Sequence, residues 1–324
     1  VVFAYDAATG LKAMIAIHST RLGPALGGCR MWNYASEAEA LTDVLRLSRG
    51  MSYKSALADM PLGGGKSVIL GDSRSHKTPA LMQAMGQAVD RLGGRYIVAE
   101  DGGTSTADMT AIHPSPATAW GCFLGLKQAV RHQLKTDDLK GLRVAVKGLG
   151  NIGFHLARLL HEAGAKLIVS DIRTDSVARA VEEFGAIVVP TEAIFGVEAE
   201  VFAPCALGAI LNDTTIPQLK AKIIAGSANN QLAEARHGAV LFDKGILYCP
   251  DYAINAGGVI NVGYEYISGN GGYDREKSYA HISRISQTMQ MIFEMSAQQG
   301  IPTSVAADRL AEARLATVKE SAAA

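Results

Sequence analysis

The feature that most constrains this chain is a glycine pattern set between a strand and a helix. Residues 143–147 (Arg-Val-Ala-Val-Lys) are typical of a short buried strand, and Gly148-Leu-Gly150-Asn-Ile-Gly153 follows directly. Glycines at this spacing, in strand–turn–helix context, are the fingerprint of a dinucleotide-binding βαβ unit. The first glycine permits a tight turn, the second lets a diphosphate approach the backbone, and the third lets helix and strand pack closely. The N-terminus of the helix favours the phosphate charge.

The strand that follows this helix ends in an acid, which bears on the identity of the cofactor. Residues 167–171 read Leu-Ile-Val-Ser-Asp. Asp171 can accept hydrogen bonds from ribose hydroxyls and would repel a 2′-phosphate, so we expect NAD rather than NADP. Arg173 is the neighbouring charge that favours a phosphate instead. The alternative is a glycine turn in an α/β domain without a cofactor, which requires neither the acid nor the second strand.

The C-terminal part of the chain alternates regularly between strand and helix patterns. A helix is predicted over about 118–132, and the last segments are helical. Short apolar runs predict strands at 143–147, 167–171, 186–189, 200–203, 223–226 and 246–249. This strand count, with helical crossovers, is typical of a doubly wound dinucleotide fold. We therefore predict a Rossmann-type NAD-binding domain over residues 117–297.

The N-terminal part is predicted to be an α/β domain with a different order of elements. Strands are predicted at 11–18, 66–70 and 95–99, and helices at 36–49 and from Thr78-Pro79 to about 92. Ser36 and Glu39 form a capping box, and Gly50 is expected to end the first helix. Pro114-Ser-Pro116 marks the boundary. We predict a substrate and oligomerisation domain over residues 1–116, with the C-terminal helix, from about 298 to 324, returning to it.

The composition argues against several classes of function. Lys plus Arg and Asp plus Glu are both 31, and this zero net charge gives no basic surface for a nucleic acid. No apolar run approaches the roughly 18 residues of a membrane span, and no signal peptide opens the sequence, so we expect a cytoplasmic protein. The cysteines are far apart, and we expect free thiols and no metal site: Cys29, Cys122, Cys205 and Cys249. Glycine is in excess, 34 residues of 324, and we expect it to serve ligand sites.

Two lysines and an aspartate are candidates for acid–base chemistry. Lys54 lies among small and apolar residues, and Lys66 follows Gly63-Gly-Gly65. A lysine among apolar groups and beside another cation has a lowered pKa and can act as a general base. A solvated surface charge is the simpler interpretation of either lysine alone. Asp101 precedes Gly102-Gly at a strand end, where a turn-forming aspartate is equally plausible and Glu100 offers the same chemistry.

Several segments, in order along nearly the whole chain, match a known family. They are residues 22–32 (Leu-Gly-Pro-Ala-Leu-Gly-Gly-Cys-Arg-Met-Trp), 50–54, 63–66, 99–101, 114–118, 148–153, 202–208, 226–230 (Gly-Ser-Ala-Asn-Asn) and 255–261 (Asn-Ala-Gly-Gly-Val-Ile-Asn). On these motifs the chain resembles the Glu/Leu/Phe/Val dehydrogenases, which oxidise amino acids with NAD. Among their members it is most similar to those that act on leucine. It departs from them in passing directly from His113 to Pro114, where the family has a longer connection.

The resemblance implies a role for each matching residue. Lys54 would hold the substrate α-carboxylate, Lys66 would activate water and exchange protons with the amine, and Asp101 would act with it as acid and base. Asn230 would lie near the substrate. The residues implied near the cofactor are Thr118, Gly148, Gly150, Asn151, Ile152, Gly153, Asp171, Ala203, Cys205, Ala228, Asn229 and Asn255. The resemblance also implies a homo-oligomer, often an octamer.

The side-chain pocket that the resemblance implies is apolar. Its positions are Leu26, Gly27, Ala99, Val259 and Val262. Glutamate-type members have a lysine in place of Leu26 and a serine in place of Val262. A glutamate side chain would bury an unpaired carboxylate here, at a cost of several kcal/mol. Branched aliphatic substrates fit better, and leucine, valine and isoleucine should all react because one methylene changes binding by only about 1–3 kcal/mol.

Three alternatives remain open. A dehydrogenase for aromatic amino acids, phenylalanine or tryptophan, is the alternative within the family. A 2-hydroxy-acid dehydrogenase of the same fold usually needs a histidine acid–base and an arginine clamp, and none of the 8 histidines lies in a glycine-framed motif. A non-catalytic NAD-binding module would have no use for Lys54, Lys66 and Asp101 together.

Overall fold

The computed structural model describes residues 1–104, 115–206, 208–268 and 273–317. Contacts between Cα atoms divide the chain into unit 1, residues 1–113 with 311–324, and unit 2, residues 114–310. Predictions that concern the connection at His113–Pro114, Leu207 or residues 318–324 lie outside the described residues. Both units combine helices with a sheet, so the predicted α/β class is confirmed.

Unit 1 is built on a mixed sheet with a helix on each face. Its elements are β1 (Val2–Asp6), β2 (Leu11–Ser19), β3 (Ala25–Trp32), α1 (Glu37–Leu57), β4 (Gly63–Leu70), α2 (Pro79–Asp90) and β5 (Tyr96–Glu100). The strand order is β1-β2-β4-β3-β5, in which β1, β2 and β4 run antiparallel and β3 runs parallel to β4 and β5. Met14 and Val68 pack against α1, whereas Ile15 and Met31 pack against α2.

Helix α1 extends beyond the glycine that was expected to end it. Ser36 caps its start, accepting a hydrogen bond of 3.1 Å from the Glu39 N–H, as predicted. Gly50 does not end the helix, because the following residues are buried and pack α1 onto β4. An added Cβ at Gly50 would meet no atom within 4 Å, so this glycine is tolerated in the interior. Lys54 therefore lies in the last turn of a helix.

The glycines at the start of β4 are packing residues of a buried strand. We predicted this strand only from residue 66, but it begins at Gly63. A Cβ at Gly64 would lie 2.0 Å from the Ser52 nitrogen of α1, and one at Gly27 would lie 1.7 Å from the Gly65 carbonyl oxygen. Close backbone approach thus accounts for these glycines without a ligand. Strand β3 was missed altogether, because its small residues are buried on both faces and show no alternation.

Unit 2 contains a parallel sheet flanked by helices. Its first elements are α3 (Ser115–Leu134), β6 (Arg143–Lys147), α4 (Asn151–Glu162), β7 (Lys166–Ser170), α5 (Thr174–Phe184), β8 (Ile187–Val188), β9 (Val201–Pro204), β10 (Ile223–Ile224), α6 (Arg236–Asp243) and β11 (Leu247–Tyr248). The order β11-β10-β9-β6-β7-β8, with every pair parallel, is that of a doubly wound dinucleotide fold. Each predicted strand of this part is present, and the predicted fold class is confirmed.

The remaining helices are α7 (Asp251–Ile254), α8 (Gly257–Ser268), α9 (Arg275–Ile282), α10 (Ile285–Gln299) and α11 (Thr303–Thr317). The division between the units runs through α11, since only residues from Ala311 onward belong to unit 1, later than the predicted 298. Within unit 1, Arg314 donates hydrogen bonds of 3.1 and 2.6 Å to the Ala56 and Leu57 carbonyls and so caps the end of α1. In the described part of the chain, no helix has the length and apolar character needed to cross a membrane.

The different settings of two glycines give a direct test of this packing. We expect Gly64→Ala to destabilise the protein by at least about 3 kcal/mol, because its Cβ would push α1 away from β4. Gly50→Ala should instead stabilise it by about 0.5–1 kcal/mol, because it removes backbone entropy from the unfolded chain at an open helical position. Urea unfolding midpoints measure both. Equal effects of the two substitutions would contradict the assigned packing.

Candidate active site

The centre of the site in unit 1 is an ion pair between Lys66 and Asp101. Lys66 lies in β4, and Asp101 directly follows β5. The Lys66 Nζ is 2.5 Å from the Asp101 Oδ2, with side chains only 5% and 18% exposed. Strand β3 runs between β4 and β5, and Gly28 occupies the crossing point: a Cβ there would lie 3.1 Å from the Lys66 Nζ and 2.8 Å from the Asp101 Cβ. The missing side chain lets the lysine reach the aspartate.

Asp101 is held as a carboxylate by its surroundings. Burial raises its pKa, but attraction to Lys66 and Arg30 outweighs burial and holds the pKa well below its usual range. The Arg30 Nε donates to the Asp101 Oδ2 at 3.2 Å. The Asp101 N–H donates to the Thr104 hydroxyl at 3.0 Å, and that hydroxyl donates to the Cys29 carbonyl at 2.8 Å. The resemblance implied that Asp101 acts with Lys66, and the structure brings the two side chains into contact.

Two of the predicted substrate residues, Leu26 and Ala99, lie on the strands β3 and β5 beside this pair in unit 1. Ala99 is the register partner of Gly28, and alternation along β3 puts Leu26 on the same face as Gly28. Leu26 is fully buried. Gly27 faces the opposite side of the sheet, where it lets the backbone of β3 approach that of β4 closely. Lys54 is buried in the last turn of α1.

The glycine loop of unit 2 has the geometry of a diphosphate site. Gly148 has φ +102°, which favours glycine, and a Cβ at Gly153 would lie 2.1 Å from the Gly148 carbonyl oxygen. Gly150 caps α4, and an added Cβ there would meet nothing within 4 Å, so the space above its backbone is open. Asn151 and Ile152 form the first turn of α4. The loop can therefore admit a ligand at the helix N-terminus.

Asp171 fixes this loop from the end of β7. Its Oδ2 accepts from the Leu149 N–H at 2.5 Å, and its Oδ1 accepts from the Arg173 N–H at 2.8 Å. The Arg173 guanidinium donates to the Leu149 carbonyl at 3.0 Å. The acid that we expected to bind ribose is thus also a loop-positioning residue.

A second cluster in unit 2 joins asparagines from two loops. The Asn255 Nδ2 donates to the Ser227 carbonyl at 3.0 Å and to the Asn229 Oδ1 at 2.9 Å. The Asn255 Oδ1 is buried and, within the described ranges, has no hydrogen-bond donor. Thr118 adjoins the start of α8, because a Cβ at Gly258 would lie 2.5 Å from its hydroxyl. Val259 and Val262 follow on α8, one turn apart and buried.

Other predicted cofactor residues lie beside β9. Ala203 is a buried residue of β9 opposite Val146, and Cys205 follows the strand against Gly153. Burial raises the pKa of the Cys205 thiol, so this cysteine is a packing residue rather than a nucleophile. The Ala228 N–H donates to the Pro204 carbonyl at 2.9 Å, which ties residues 226–230 to the end of β9.

Sequence reasoning missed two residues that hold the 226–230 loop. The Gln231 Nε2 donates to the Gly226 and Ala228 carbonyls at 2.9 and 3.0 Å. Asp251 accepts from the Asn230 N–H at 2.8 Å and from the Tyr248 hydroxyl at 2.9 Å, and Asn230 has φ +51°. The position of Asp251 just beyond a predicted strand was the available signal, the same one that identified Asp171.

One group of possible metal ligands is explained by an ionic network. Oxygen and nitrogen atoms of Asp213, Glu234 and His237 lie within 4.8 Å of one another. However, Arg236 donates to both carboxylates, and the His237 Nδ1 accepts from the Glu234 N–H at 3.0 Å. These contacts use the atoms that a metal would need.

Comparison with known proteins covers nearly the whole chain. A family model described as Glu/Leu/Phe/Val dehydrogenase, dimerisation domain, matches residues 1–115. A second model, Glutamate/Leucine/Phenylalanine/Valine dehydrogenase, matches residues 113–176 and 169–323. A leucine dehydrogenase from Geobacillus stearothermophilus is 53% identical over 339 residues, covering 99% of this chain and 91% of that protein.

Solved structures of similar fold are also amino-acid dehydrogenases. The crystal structure of L-tryptophan dehydrogenase from Nostoc punctiforme superposes with a TM-score of 0.82 at 47% identity, covering 99% of this chain and 96% of that one. A hetero-hexameric glutamate dehydrogenase from Thermus thermophilus has a TM-score of 0.81 over 97% of this chain and 86% of that one, and at 21% identity this shows a common fold.

The ion pair makes a prediction for stability. We expect Asp101→Asn to destabilise the protein by about 3 kcal/mol at pH 7, because it leaves the buried Lys66 ammonium without its anion and removes one of the two carboxylates that Arg30 contacts. Since the folded pKa of Asp101 is lowered, its contribution is present above the unfolded pKa of about 3.9 and is lost as pH falls through the folded pKa. The difference from wild type should therefore shrink below about pH 4.

Denaturant unfolding between pH 3 and pH 7 measures this difference. The exposed Asp90 at the end of α2 is the control, and Asp90→Asn should change stability by less than about 0.5 kcal/mol. A difference for Asp101→Asn that is constant with pH would show that the carboxylate charge is not what stabilises the site.

Proposed function

We infer the function from one premise: this chain belongs to the Glu/Leu/Phe/Val dehydrogenase family, and it is an amino-acid dehydrogenase. Its reaction is the oxidative deamination of branched-chain aliphatic L-amino acids, leucine with valine and isoleucine, to 2-oxo acids and ammonia. We propose NAD as the cofactor. The observation that supports this chemistry is the buried Lys66–Asp101 ion pair, in which an amine and a carboxylate that can each accept or donate a proton lie in contact.

We propose that each residue of the pair has a separate task. Asp101, ionised at neutral pH, accepts a proton from the substrate ammonium group. Lys66 then activates the water that adds to the imine carbon, and the carbinolamine collapses to the 2-oxo acid as ammonia leaves with a returned proton. Lys54 binds the α-carboxylate through its ammonium group. Bound NAD would supply the acceptor for the hydride from Cα.

The residues of unit 2 fit a dinucleotide. Gly150 leaves its backbone open beside the N-terminus of α4, where a diphosphate would bind. The buried Asn255 Oδ1 needs a donor, and the carboxamide of nicotinamide provides an N–H. We propose that Asn229 and Thr118 join Asn255 there. Asp171 retains acceptor capacity for ribose hydroxyls and disfavours a 2′-phosphate by its charge.

The substrate preference follows from the apolar side chains. We propose that the apolar residues Leu26, Ala99, Val259 and Val262 set the preference for an aliphatic substrate side chain, and that Asn230 binds a polar group of the substrate. Both valines and Leu26 are buried, and none offers a partner to a second carboxylate. The tryptophan dehydrogenase of similar fold and 47% identity makes an aromatic substrate the second candidate.

We further propose a homo-oligomer in a reducing compartment such as the cytoplasm. The matching model for residues 1–115 is described as a dimerisation domain, which favours assembly through unit 1. The Thermus glutamate dehydrogenase is described as hexameric, and octamers are common in the resembled family. No disulfide is formed by the cysteines, all of which lie in the described part of the chain: Cys29, Cys122, Cys205 and Cys249.

A substrate panel tests the proposed reaction. We expect NADH formation, followed by absorbance, with L-leucine, L-valine and L-isoleucine, with kcat/KM values within about two orders of magnitude because their side chains differ by only a methylene or its position. L-Glutamate should be inactive because of its buried charge. NADP should replace NAD poorly, and the reverse reaction should require ammonia. Higher kcat/KM for L-tryptophan or L-phenylalanine would establish the aromatic alternative.

Substitution of the catalytic lysine tests the mechanism. We expect Lys66→Ala to lower kcat about 10²–10⁴-fold, the range of general acid–base catalysis, while NADH binding by fluorescence titration stays near wild type. Lys12, exposed on β2 of the same sheet, is the matched control, and Lys12→Ala should keep full activity. Near-normal kcat in Lys66→Ala would refute the assignment of this lysine.

A further inference from the structure

We propose that Arg30 is a positioning residue for the proton transfers, acting as a permanent counter-charge that Asp43 and Tyr34 hold against Asp101. This inference rests on the proposed function, because it concerns the roles assigned to Lys66 and Asp101. It adds a set of residues behind the catalytic pair, on β3 and α1, to the residues that touch the substrate.

The geometry is a continuous chain of contacts. Arg30 lies on the same face of β3 as Gly28, and its side chain bridges two carboxylates. The Arg30 Nε donates to the Asp101 Oδ2 at 3.2 Å, and its Nη1 donates to the Asp43 Oδ2 at 2.9 Å. The Tyr34 hydroxyl donates to the same oxygen of Asp43 at 2.7 Å. Asp43 extends from α1, so this helix fixes the arginine from behind.

Arg30 and Tyr34 keep their protonation states over the working pH range. Burial lowers the pKa of Arg30, but the charges of Asp101 and Asp43 outweigh burial and raise it. Burial and the hydrogen bond to Asp43 raise the pKa of Tyr34 far above its usual value. Arg30 is therefore a fixed cation and Tyr34 a fixed neutral donor, in contrast to a lysine that must release and regain a proton.

The shared oxygen gives this arrangement its consequence. Lys66 and Arg30 both contact the Asp101 Oδ2. When Lys66 gives up its proton, Arg30 remains as the cation beside the carboxylate, so Asp101 stays oriented and returns to its ionised form after each proton that it passes on. With Lys66 charged, the two cations balance Asp101 and Asp43. Removal of the Arg30 charge leaves the set with an excess negative charge, and removal of the Asp43 charge leaves it with an excess positive charge.

The other charged or titratable groups around Asp101 are few in the part of unit 1 that the structure describes. Lys66 faces it from β4 and Arg30 from β3, with Asp43 of α1 and Tyr34 behind Arg30. Tyr96 of β5 is buried and uncharged, since burial raises its pKa. The Lys77 Nζ, before α2, donates to the Gly103 carbonyl at 3.3 Å, and Glu100 directly precedes Asp101. These groups are unchanged in the variants below, so they do not alter the expected direction.

Two variants with opposite expected shifts test the proposal. In Arg30→Met, the rising limb of the pH dependence of kcat should move to higher pH by about one unit, because loss of a cation favours the ammonium form of Lys66. In Asp43→Asn the limb should move to lower pH, because loss of an anion favours the neutral amine. Arg30→Lys should restore the limb to near wild type while kcat stays reduced, because one ammonium group cannot bridge both carboxylates.

The control is a second arginine–carboxylate pair of unit 2. The distance from the Arg143 Nη2 to the Glu200 Oε1 is 2.6 Å, and neither residue is among the proposed site residues. Arg143→Met should therefore leave the pH profile unchanged. Shifts of the same sign in Arg30→Met and Asp43→Asn, or no shift in either, would overturn the proposal and leave Arg30 a purely structural role. If Arg30→Met does not fold, the downward shift in Asp43→Asn decides the question by itself.

This outcome is separable from failure of the proposed function. Loss of the proposed function would appear as undiminished turnover in Lys66→Ala, or as no activity of the wild-type enzyme on any amino acid of the panel. Failure of the Arg30 proposal alone would appear as unshifted pH profiles in an enzyme that still depends on Lys66.

Discussion

The structure of unit 1 depends on how closely its backbones approach one another. The Lys66–Asp101 contact crosses β3 at Gly28, which has no side chain. Helix α1 packs closely on β4 because Gly64 has no side chain either. A Cβ at Gly28 would touch both members of the pair, and a Cβ at Gly64 would strike the backbone of α1. Because Lys54 is in the last turn of α1, the same close packing fixes the position of both lysines. The site is thus a consequence of packing, and no flexible loop is required to assemble it.

This packing explains which predictions from the sequence succeeded. In unit 2 each strand is a short apolar run with its own stop signal, so the strands and their parallel order follow from the sequence. In unit 1 the same kind of inference failed for β3 and for the start of β4, because strands of glycine and small residues show no alternation. The predicted helix end at Gly50 was wrong for a different reason. The residues after Gly50 are buried, and their tertiary contacts stabilise the helix beyond this glycine.

The candidate site could be named from motifs but not built from them. On chemistry alone the sequence offered Glu100 as well as Asp101, and the resemblance implied Asp101; the fold shows the 2.5 Å contact of Asp101 with Lys66. The contacts of Arg30 with Asp101 and Asp43 could not be foreseen, because residues distant in sequence meet across a sheet whose mixed order the sequence did not predict. Arg30, Asp43 and Asp251 were missed because each acts through a partner on another element. Gln231 was missed although its partners are carbonyls of its own loop.

The supporting carboxylates share one physical principle. Asp101 and Asp171 each follow a strand directly, and Asp251 comes shortly after β11, beyond Cys249 and Pro250. Each accepts hydrogen bonds that fix a neighbouring segment. A carboxylate at a strand end can satisfy exposed N–H groups or cations while its backbone stays anchored in the sheet. At Asp171 and Asp251 the donors include the backbone N–H groups of Leu149 and Asn230, so these acids fix the loops that carry those residues. At Asp101 the donors are the charged side chains of Lys66 and Arg30, and Arg30 also contacts Asp43. The carboxylate there pairs with cations rather than with backbone N–H groups. The zero net charge of the chain therefore hides local sets of paired charges, such as the set that Lys66, Arg30 and Asp43 form with Asp101.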